Sequence, residues 1–308
     1  MSSRYRLLSA FAAAALAFTV ASDARALPQD AIIAVPQYGG IEKLSGGVLS
    51  PVITTPGYPA QLAADSAGNI FATQNLSSAI YEVTSSGIAS TFADTGFSRT
   101  GGIAFDIAGN LYVGGFDNAG SRILKYAPGN TTPTIFVPNG SLVVPTGLAF
   151  DSQGNLFVSN NDFSGTTHWL SKVTSGGVVS TFASFSGGTA INLQDLAIDA
   201  SDNIFVGIAG AGIDKITPGG TVSNWVDLTT AGNPWGMEFD HNGNLYVVDN
   251  SGQVLDLFDP SGTLLSQTSG IGPAIGLALV DNVPVPEPAS TLLLAGALAA
   301  LAASRRRR

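Results

Sequence analysis

Two kinds of short apolar run alternate along the middle of the chain. In "GLAFDSQGNLFV", residues 147–158, a small apolar triplet (Leu148, Ala149, Phe150) leads through a polar turn into a continuous apolar run (Leu156, Phe157, Val158). The phrase returns as "GIAFDIAGNLYV" from Gly102, "DLAIDASDNIFV" from Asp195 and "GMEFDHNGNLYV" from Gly236. Each copy is followed by an alternating segment, such as Ile80-Tyr81-Glu82-Val83, Leu170-Ser171-Lys172-Val173 or Ile213-Asp214-Lys215-Ile216, and then by a more polar one, such as Ser90-Thr91-Phe92-Ala93. Continuous apolar runs predict strands buried on both faces, and strict alternation predicts half-buried strands. Every unit therefore predicts four strands whose polarity rises from the first to the fourth, a gradient from axis to rim.

Aligned on the aspartate of the phrase, the units start at Asp65, Asp106, Asp151, Asp199, Asp240 and Asp281, at steps of 41, 45, 48, 41 and 41. Periods of about 40–50 residues with four short strands predict propeller blades. The repeat begins and ends in mid-unit. Asp30 to Val35 reads as a second strand, with a third (Ile41 to Leu44) and a fourth (Pro51 to Thr54) behind it, while Ile275 to Val280 reads as a first strand with nothing after it. Joined, the fragments make one blade and remove two open sheet edges. The expectation is an all-β, six-bladed β-propeller of four-stranded blades, closed by the C-terminal strand joining the N-terminal blade.

The Asp-x-x-Gly-Asn turn joins first and second strands. Aspartate caps it, glycine takes the left-handed conformation, and asparagine re-enters the strand. One carboxylate per turn is far short of the about six to eight oxygens that calcium takes, so turn chemistry explains the repetition. Repeat and period together resemble the NHL-repeat propellers and, more distantly, the gluconolactonase-like six-bladed family, over roughly residues 30–281. The resemblance implies the fold; hydrolases, lyases, transferases and binding proteins all share it.

Composition adds the compartment. Thirty-seven glycines and 16 prolines suit a turn-rich β protein, and with no cysteine the fold is held without disulfides or thiolate metal sites. Arg4 and Arg6, an apolar run from Leu7 to Val20, and Ala24-Arg25-Ala26 read as a secretory signal over residues 1–26, implying the Sec machinery and signal peptidase. The propeller is expected over 27–283. Beyond it stand Pro286-Glu287-Pro288, an apolar stretch from Ala289 to Ala303, and Arg305, Arg306, Arg307 and Arg308. As a helix that stretch covers about 22 Å, short of the roughly 30 Å hydrocarbon core, so it predicts a transient membrane contact rather than an anchor. These elements, over 284–308, resemble the PEP-CTERM sorting signal. The resemblance implies processing by an exosortase-type enzyme and a place on the surface or in the extracellular matrix of a Gram-negative, exopolysaccharide-making bacterium.

Without residues 1–26 and the four terminal arginines, seven of 13 basic residues and one of 22 acidic residues are lost, leaving 6 against 21 and a net charge of −15. Such a surface excludes nucleic acid and anionic lipid as partners. Strand direction then sorts the scarce polar residues between a face made of Asp-x-x-Gly-Asn turns and an opposite face at the channel mouth, where propellers generally keep their sites. Lys43, Lys125, Lys172 and Lys215 fall on third strands and are expected to be solvated at the rim. Arg99, Arg122 and His168 fall in mouth-face loops, His168 beside Trp169 and a candidate catalyst, while His241 falls in a turn on the other face. Tyr38, Tyr58, Phe97, Phe116, Phe163, Phe185 and Trp235 join Trp169 as aromatics of the mouth.

One residue breaks its column: where five first strands carry Ala64, Ala104, Ala149, Ala197 and Ala278, the other carries Glu238. A carboxylate at a crowded axis calls for water, a cation, an arginine or a raised pKa. Glu238 is thus the candidate catalytic or metal-binding residue, with Asp195, Asp117, Asp162 and Asp249 as companions. No cofactor is required, and a divalent cation such as calcium is the one left open. A lactonase-like metal site departs from this sequence at Thr146 and Trp235, where that family's asparagine is replaced. The favoured expectation is a binding module for an extracellular polysaccharide or a protein; the competing one is a lactonase-like hydrolase or lyase built on Glu238. The two ends generate a prediction for intact-mass measurement. Protein from the surface of the native host should lack residues 1–26 and the four terminal arginines, and Arg308 on mature surface protein would refute sorting-type processing.

Overall fold

The computed structural model describes residues 31–35, 40–46, 48–54, 57–162, 167–186, 192–227 and 232–280. They form 24 strands in six four-stranded antiparallel sheets. Five sheets are consecutive in sequence. The first complete blade is β4 (Pro59–Ala64), β5 (Ile70–Gln74), β6 (Ala79–Val83) and β7 (Ala89–Asp94). The second is β8 (Arg99–Phe105), β9 (Leu111–Asp117), β10 (Gly120–Tyr126) and β11 (Thr134–Val137). The third is β12 (Pro145–Phe150), β13 (Leu156–Asn161), β14 (Thr167–Val173) and β15 (Val179–Ser186). The fourth is β16 (Leu193–Ile198), β17 (Ile204–Ile208), β18 (Gly212–Ile216) and β19 (Val222–Asp227), and the fifth is β20 (Pro234–Phe239), β21 (Leu245–Asp249), β22 (Val254–Phe258) and β23 (Leu264–Ser269). The sixth is composite: β24 (Gly276–Leu279) pairs with β1 (Ala31–Val35), followed by β2 (Gly40–Ser45) and β3 (Val48–Thr54). Ala31 stands opposite Leu279 and Ala34 opposite Gly276, so the ring closes as the split repeat predicts.

Burial follows the polarity gradient. Second strands β5, β13, β17 and β21 are buried along their whole length, whereas β19 and β23 are largely exposed. Between blades the second-strand aromatic meets the fourth strand and the next blade's first strand edge to face, as in Phe71 with Phe92 and Phe105 (both 5.1 Å) and Phe205 with Trp225 (4.8 Å) and Phe239 (5.0 Å). At the axis the inner strands nearly touch. A Cβ on Gly147 would lie 2.9 Å from the Asp195 Cα, and one on Gly236 2.8 Å from the Leu277 nitrogen, so glycine opens the inner strand there.

The turns behave as read. In "DSAGN" the Asp65 Oδ1 accepts from Ala67 and Asn69 backbone N–H groups (2.9 and 2.8 Å), its Oδ2 accepts from Asn69 Nδ2 (2.8 Å), and Gly68 has φ 77°. Asp106, Asp151, Asp199 and Asp240 repeat this pattern. In the fourth blade Asp202 takes the glycine's place at φ 60°, and its carboxylate accepts from Ser152 of the preceding blade (2.8 and 2.7 Å).

Three expectations need correction. The residue of the axial column in the first complete blade is Ala63, which stands opposite Phe71 as Ala104 stands opposite Tyr112; Ala64 lies one step on. Lys125, Lys172 and Lys215 are not free rim cations. Each ammonium lies over the aromatic ring of its neighbouring second strand and 3.7–4.0 Å from the turn aspartate of its own blade, and Lys43 is only 7% exposed. Arg99, Arg122, His168 and Trp169 lie on strands, because the β8–β9, β9–β10 and β13–β14 ladders extend beyond the apolar pattern.

Closure predicts that deleting residues 270–283 strips the composite blade of its inner strand and its neighbours of an interface. Stability should drop by several kcal/mol, from the roughly 5–15 kcal/mol typical of a domain. Thermal unfolding unchanged by the deletion would contradict the closure.

Candidate functional site

Five of the six inner strands carry one extra residue at the mouth end. The register slips between Pro59 and Leu62, Thr100 and Ile103, Pro145 and Leu148, Leu193 and Leu196, and Pro234 and Gly236. Bulges of this kind re-aim side chains and are common beside functional sites. Here they turn residues 60–61, 101, 146, 194 and 235 toward the axis, where they form a basin of about 200 Å³. Its polar lining includes Gln61, Asn75, Arg99, Thr146, Asn161 and Gln194, and Phe116 and Trp235 add ring surface. Below lies a chamber of about 350 Å³ walled by the lower halves of the inner strands, with Asp195 and Glu238 as its acids. Gln61 belongs to both spaces.

The basin is held by cross-blade hydrogen bonds. Gln61 Nε2 donates to the Trp235 carbonyl (3.1 Å), Arg99 Nη2 to Asn75 Oδ1 (2.6 Å), and Thr146 Oγ1 to the Leu193 carbonyl (3.0 Å). Asn161 Nδ2 donates to the Leu193 carbonyl and to Thr146 Oγ1 (2.6 and 2.8 Å), while Asn161 Oδ1 accepts from the Leu193 N–H (2.8 Å) and faces His168 Nδ1 at 3.1 Å. With the amide oriented by those bonds, His168 must carry its proton on Nδ1. Burial lowers its pKa against the opposing pull of Asp162, so the imidazole is held neutral, and at 4% exposure it positions Asn161 from behind.

The chamber acids tie successive blades together. Met237 N–H donates to Asp195 Oδ2 (3.1 Å), and Leu279 N–H donates to Glu238 Oε2 (2.7 Å). Burial pushes Asp195 up to about 7 and Glu238 up to about 8, the latter also raised by the charge of Asp195, and the backbone donors only partly offset this. Neither arginine stands in as counter-ion. Arg122 bridges Asp117 at 2.8 Å, which holds that carboxyl below its usual range, and lies 4.6 Å from the Phe97 ring centroid; Arg99 is at the basin. Among the described residues no three histidine, cysteine, aspartate or glutamate side chains converge as a metal cluster.

The structure thus brings Arg99 and Trp235 to the basin and Asp195 and Glu238 to the chamber. Asp117 and Asp249 close tight hairpins instead, Asp249 accepting from the N–H groups of Asn233, Ser251 and Gly252. Phe97 and Phe185 are core residues, and Tyr38 and Phe163 lie outside the described residues. Gln61, Asn75, Asn161 and Gln194 are basin residues that the sequence pattern did not single out. For Gln61 and Gln194 the one signal is the extra residue between the interblade connection and the apolar phrase; Asn75 directly follows second strand β5 and Asn161 ends second strand β13, beyond their apolar runs.

Comparison with known proteins settles the C-terminal segment first. Residues 284–308, outside the described residues, match the model of the PEP-CTERM protein-sorting motif. The chain carries this sorting signal. It marks the protein for export and for the bacterial cell surface or extracellular space, with processing by an exosortase-type enzyme. No curated protein matches the chain in sequence. Among solved structures the propeller is similar to a chain of a nidogen/laminin complex (18% identity, 82% of this chain and 98% of that one, TM-score 0.68). It is also similar to a streptogramin B lyase (16%, 84% and 91%, 0.62) and to a gluconolactonase from Xanthomonas campestris (15%, 80% and 87%, 0.62). At such identities the likeness is one of fold.

The chamber acids generate a pH prediction. Both carboxyls bind protons more tightly in the folded than in the unfolded chain, so their contribution to stability is complete below the ordinary carboxylate range and drains away as pH climbs through about 7 and 8. Glu238→Gln, which carries no charge at any pH, should melt close to the parent at pH 5 and clearly above it at pH 9. Parallel melting curves for the two proteins across that range would refute the buried, protonated carboxyl.

Proposed function

We propose that this protein is a surface-sorted binding module of a Gram-negative bacterium, taking a neutral, polyhydroxylated ligand, the end of an extracellular polysaccharide, in the mouth basin. The observation that carries the reading is the basin's chemistry: amides, hydroxyls, one guanidinium and two aromatic surfaces, with Gln61, Arg99, Thr146 and Asn161 held by cross-blade bonds. Amides and hydroxyls match sugar hydroxyls in both directions, and ring faces match the apolar faces of sugars. At about 200 Å³ the basin is smaller than the roughly 300–1,000 Å³ pockets that enclose whole small molecules, which suits one sugar unit at a chain end. The reading calls for no cofactor.

The competing hydrolase or lyase reading needs Glu238 beside His168 or a metal. Glu238 stands in the chamber, hydrogen-bonded to Leu279, and His168 stands behind Asn161 and lines neither space. The test is calorimetric titration with exopolysaccharide fragments from the native host. Trp235→Ala and Arg99→Ala should each weaken binding about tenfold or more, as expected for losing about 1.4 kcal/mol or more of contact. Equal affinity in both variants would overturn the basin as the site.

A further inference from the structure

Three blades repeat one bracket on the turn face. Opposite the second-strand aromatic stands a lysine: Lys125 opposite Tyr112, Lys172 opposite Phe157, Lys215 opposite Phe205. In each, the ammonium lies over the ring, 5.1–5.4 Å from its centroid, and the turn aspartate (Asp106, Asp151 or Asp199) stands 3.7–4.0 Å away. Ring quadrupole and carboxylate thus act on one cation.

The first complete blade keeps the ring and the aspartate and reverses the third member. Opposite Phe71 stands Glu82, whose carboxyl is raised by burial and by the charge of Asp65. Between this blade and the next lies a cavity of about 270 Å³, lined by Asp65, Phe71, Phe92, Phe105 and Tyr126. Tyr126 is 1% exposed, and its hydroxyl has no hydrogen-bond partner among the described residues. The cavity therefore adjoins the same aromatic ring and turn carboxylate that elsewhere hold an ammonium, with a second carboxylate beside them and no lysine from its own third strand.

We propose that this inter-blade cavity binds a primary ammonium group on an unbranched alkyl stem, as in a lysine side chain presented by a partner. The stem lies along the aromatic wall and the ammonium sits between Phe71 and the carboxylates of Asp65 and Glu82. It takes the place that Lys125, Lys172 and Lys215 take in their own blades, and it relieves the repulsion between the two acids. This site is on the opposite face from the basin and does not depend on the polysaccharide reading.

The experiment is an amide NMR titration of the whole propeller with n-butylammonium and with Nα-acetyl-lysine methylamide, against n-butanol and glucosamine. The expected result is saturable shifts at the cavity-lining Gly109 and Gly129 for the two stem-borne ammonium probes, weakened by added salt. Glu82→Lys supplies the stem from within, so it should melt higher than the parent and bind the probes at least tenfold more weakly. Glu82→Gln keeps the shape, removes one charge and should bind severalfold more weakly. No saturable shift in the parent, undiminished binding in Glu82→Lys, or butanol or glucosamine binding as well as butylammonium would each overturn the proposal.

Discussion

Six twisted sheets can share an axis only if their inner strands carry almost no side chain where they meet. That steric limit explains the glycine that opens four of the six inner phrases, Gly102, Gly147, Gly236 and Gly276; Gln61 and Asp195 stand there in the other two. Glycine stands where a Cβ would run into the next inner strand, as at Gly147 and Gly236, and two residues nearer the turns stands the alanine column, Ala149 after Gly147, which Glu238 interrupts after Gly236. Side-chain volume is displaced outward, where the blades splay and aromatic rings fill the wedge. Each blade thus has an empty inner end and a crowded middle, and the ring is stable only when every wedge is filled and no inner strand is missing. Splitting one blade between the two ends of the chain meets both conditions without a disulfide, in a chain that has no cysteine.

The same limit creates the central spaces. Inner strands made of small residues leave a chamber, and the bulges at their mouth ends widen it into a basin lined by Gln61, Thr146 and Gln194 from three blades and Trp235 from a fourth. Into that small-residue ring the fifth blade places Glu238 where its neighbours place alanine, and the fourth adds Asp195. Both acids spend an oxygen on the backbone of the next blade. Their high proton affinity follows from burial in a wall with no basic group bonded to them, and the proton removes most of the cost of having them there.

Architecture was legible in the sequence because it is written in periodicities: a repeat of 41 to 48 residues, a polarity gradient inside it, and a phrase cut at both ends. Site geometry was written less clearly, for two physical reasons. Bulges add a residue without changing the apolar phrase that follows, so Gln61 and Gln194 read as connection rather than lining. Hairpin ladders also run on past the last apolar residue, since backbone hydrogen bonds need no core, and this moved Arg122 and His168 from loop to strand. The lysines were misplaced for a related reason. Alternation along a third strand gives the side a residue points to, and the partner waiting there, a turn aspartate some 20 residues earlier in sequence, is fixed only by the twist of the sheet. Glu238 was visible because a repeat supplies its own comparison: five alanines make one carboxylate conspicuous.

Strand direction also gives the two faces different outlooks. Inner strands run from mouth to turn face, as the pairing of Leu279 with Ala31 and the level of Gly276 beside Ala60 show for the closing strand. The described chain therefore enters at Ala31 and leaves at Val280 on the turn face, and the sorting motif begins at residue 284, only three residues beyond. The strand that leads toward the sorting motif thus leaves from the turn face, while the basin lies on the opposite face. A closed ring is what makes this separation possible, because the strand that completes the fold is also the strand that leads into the signal.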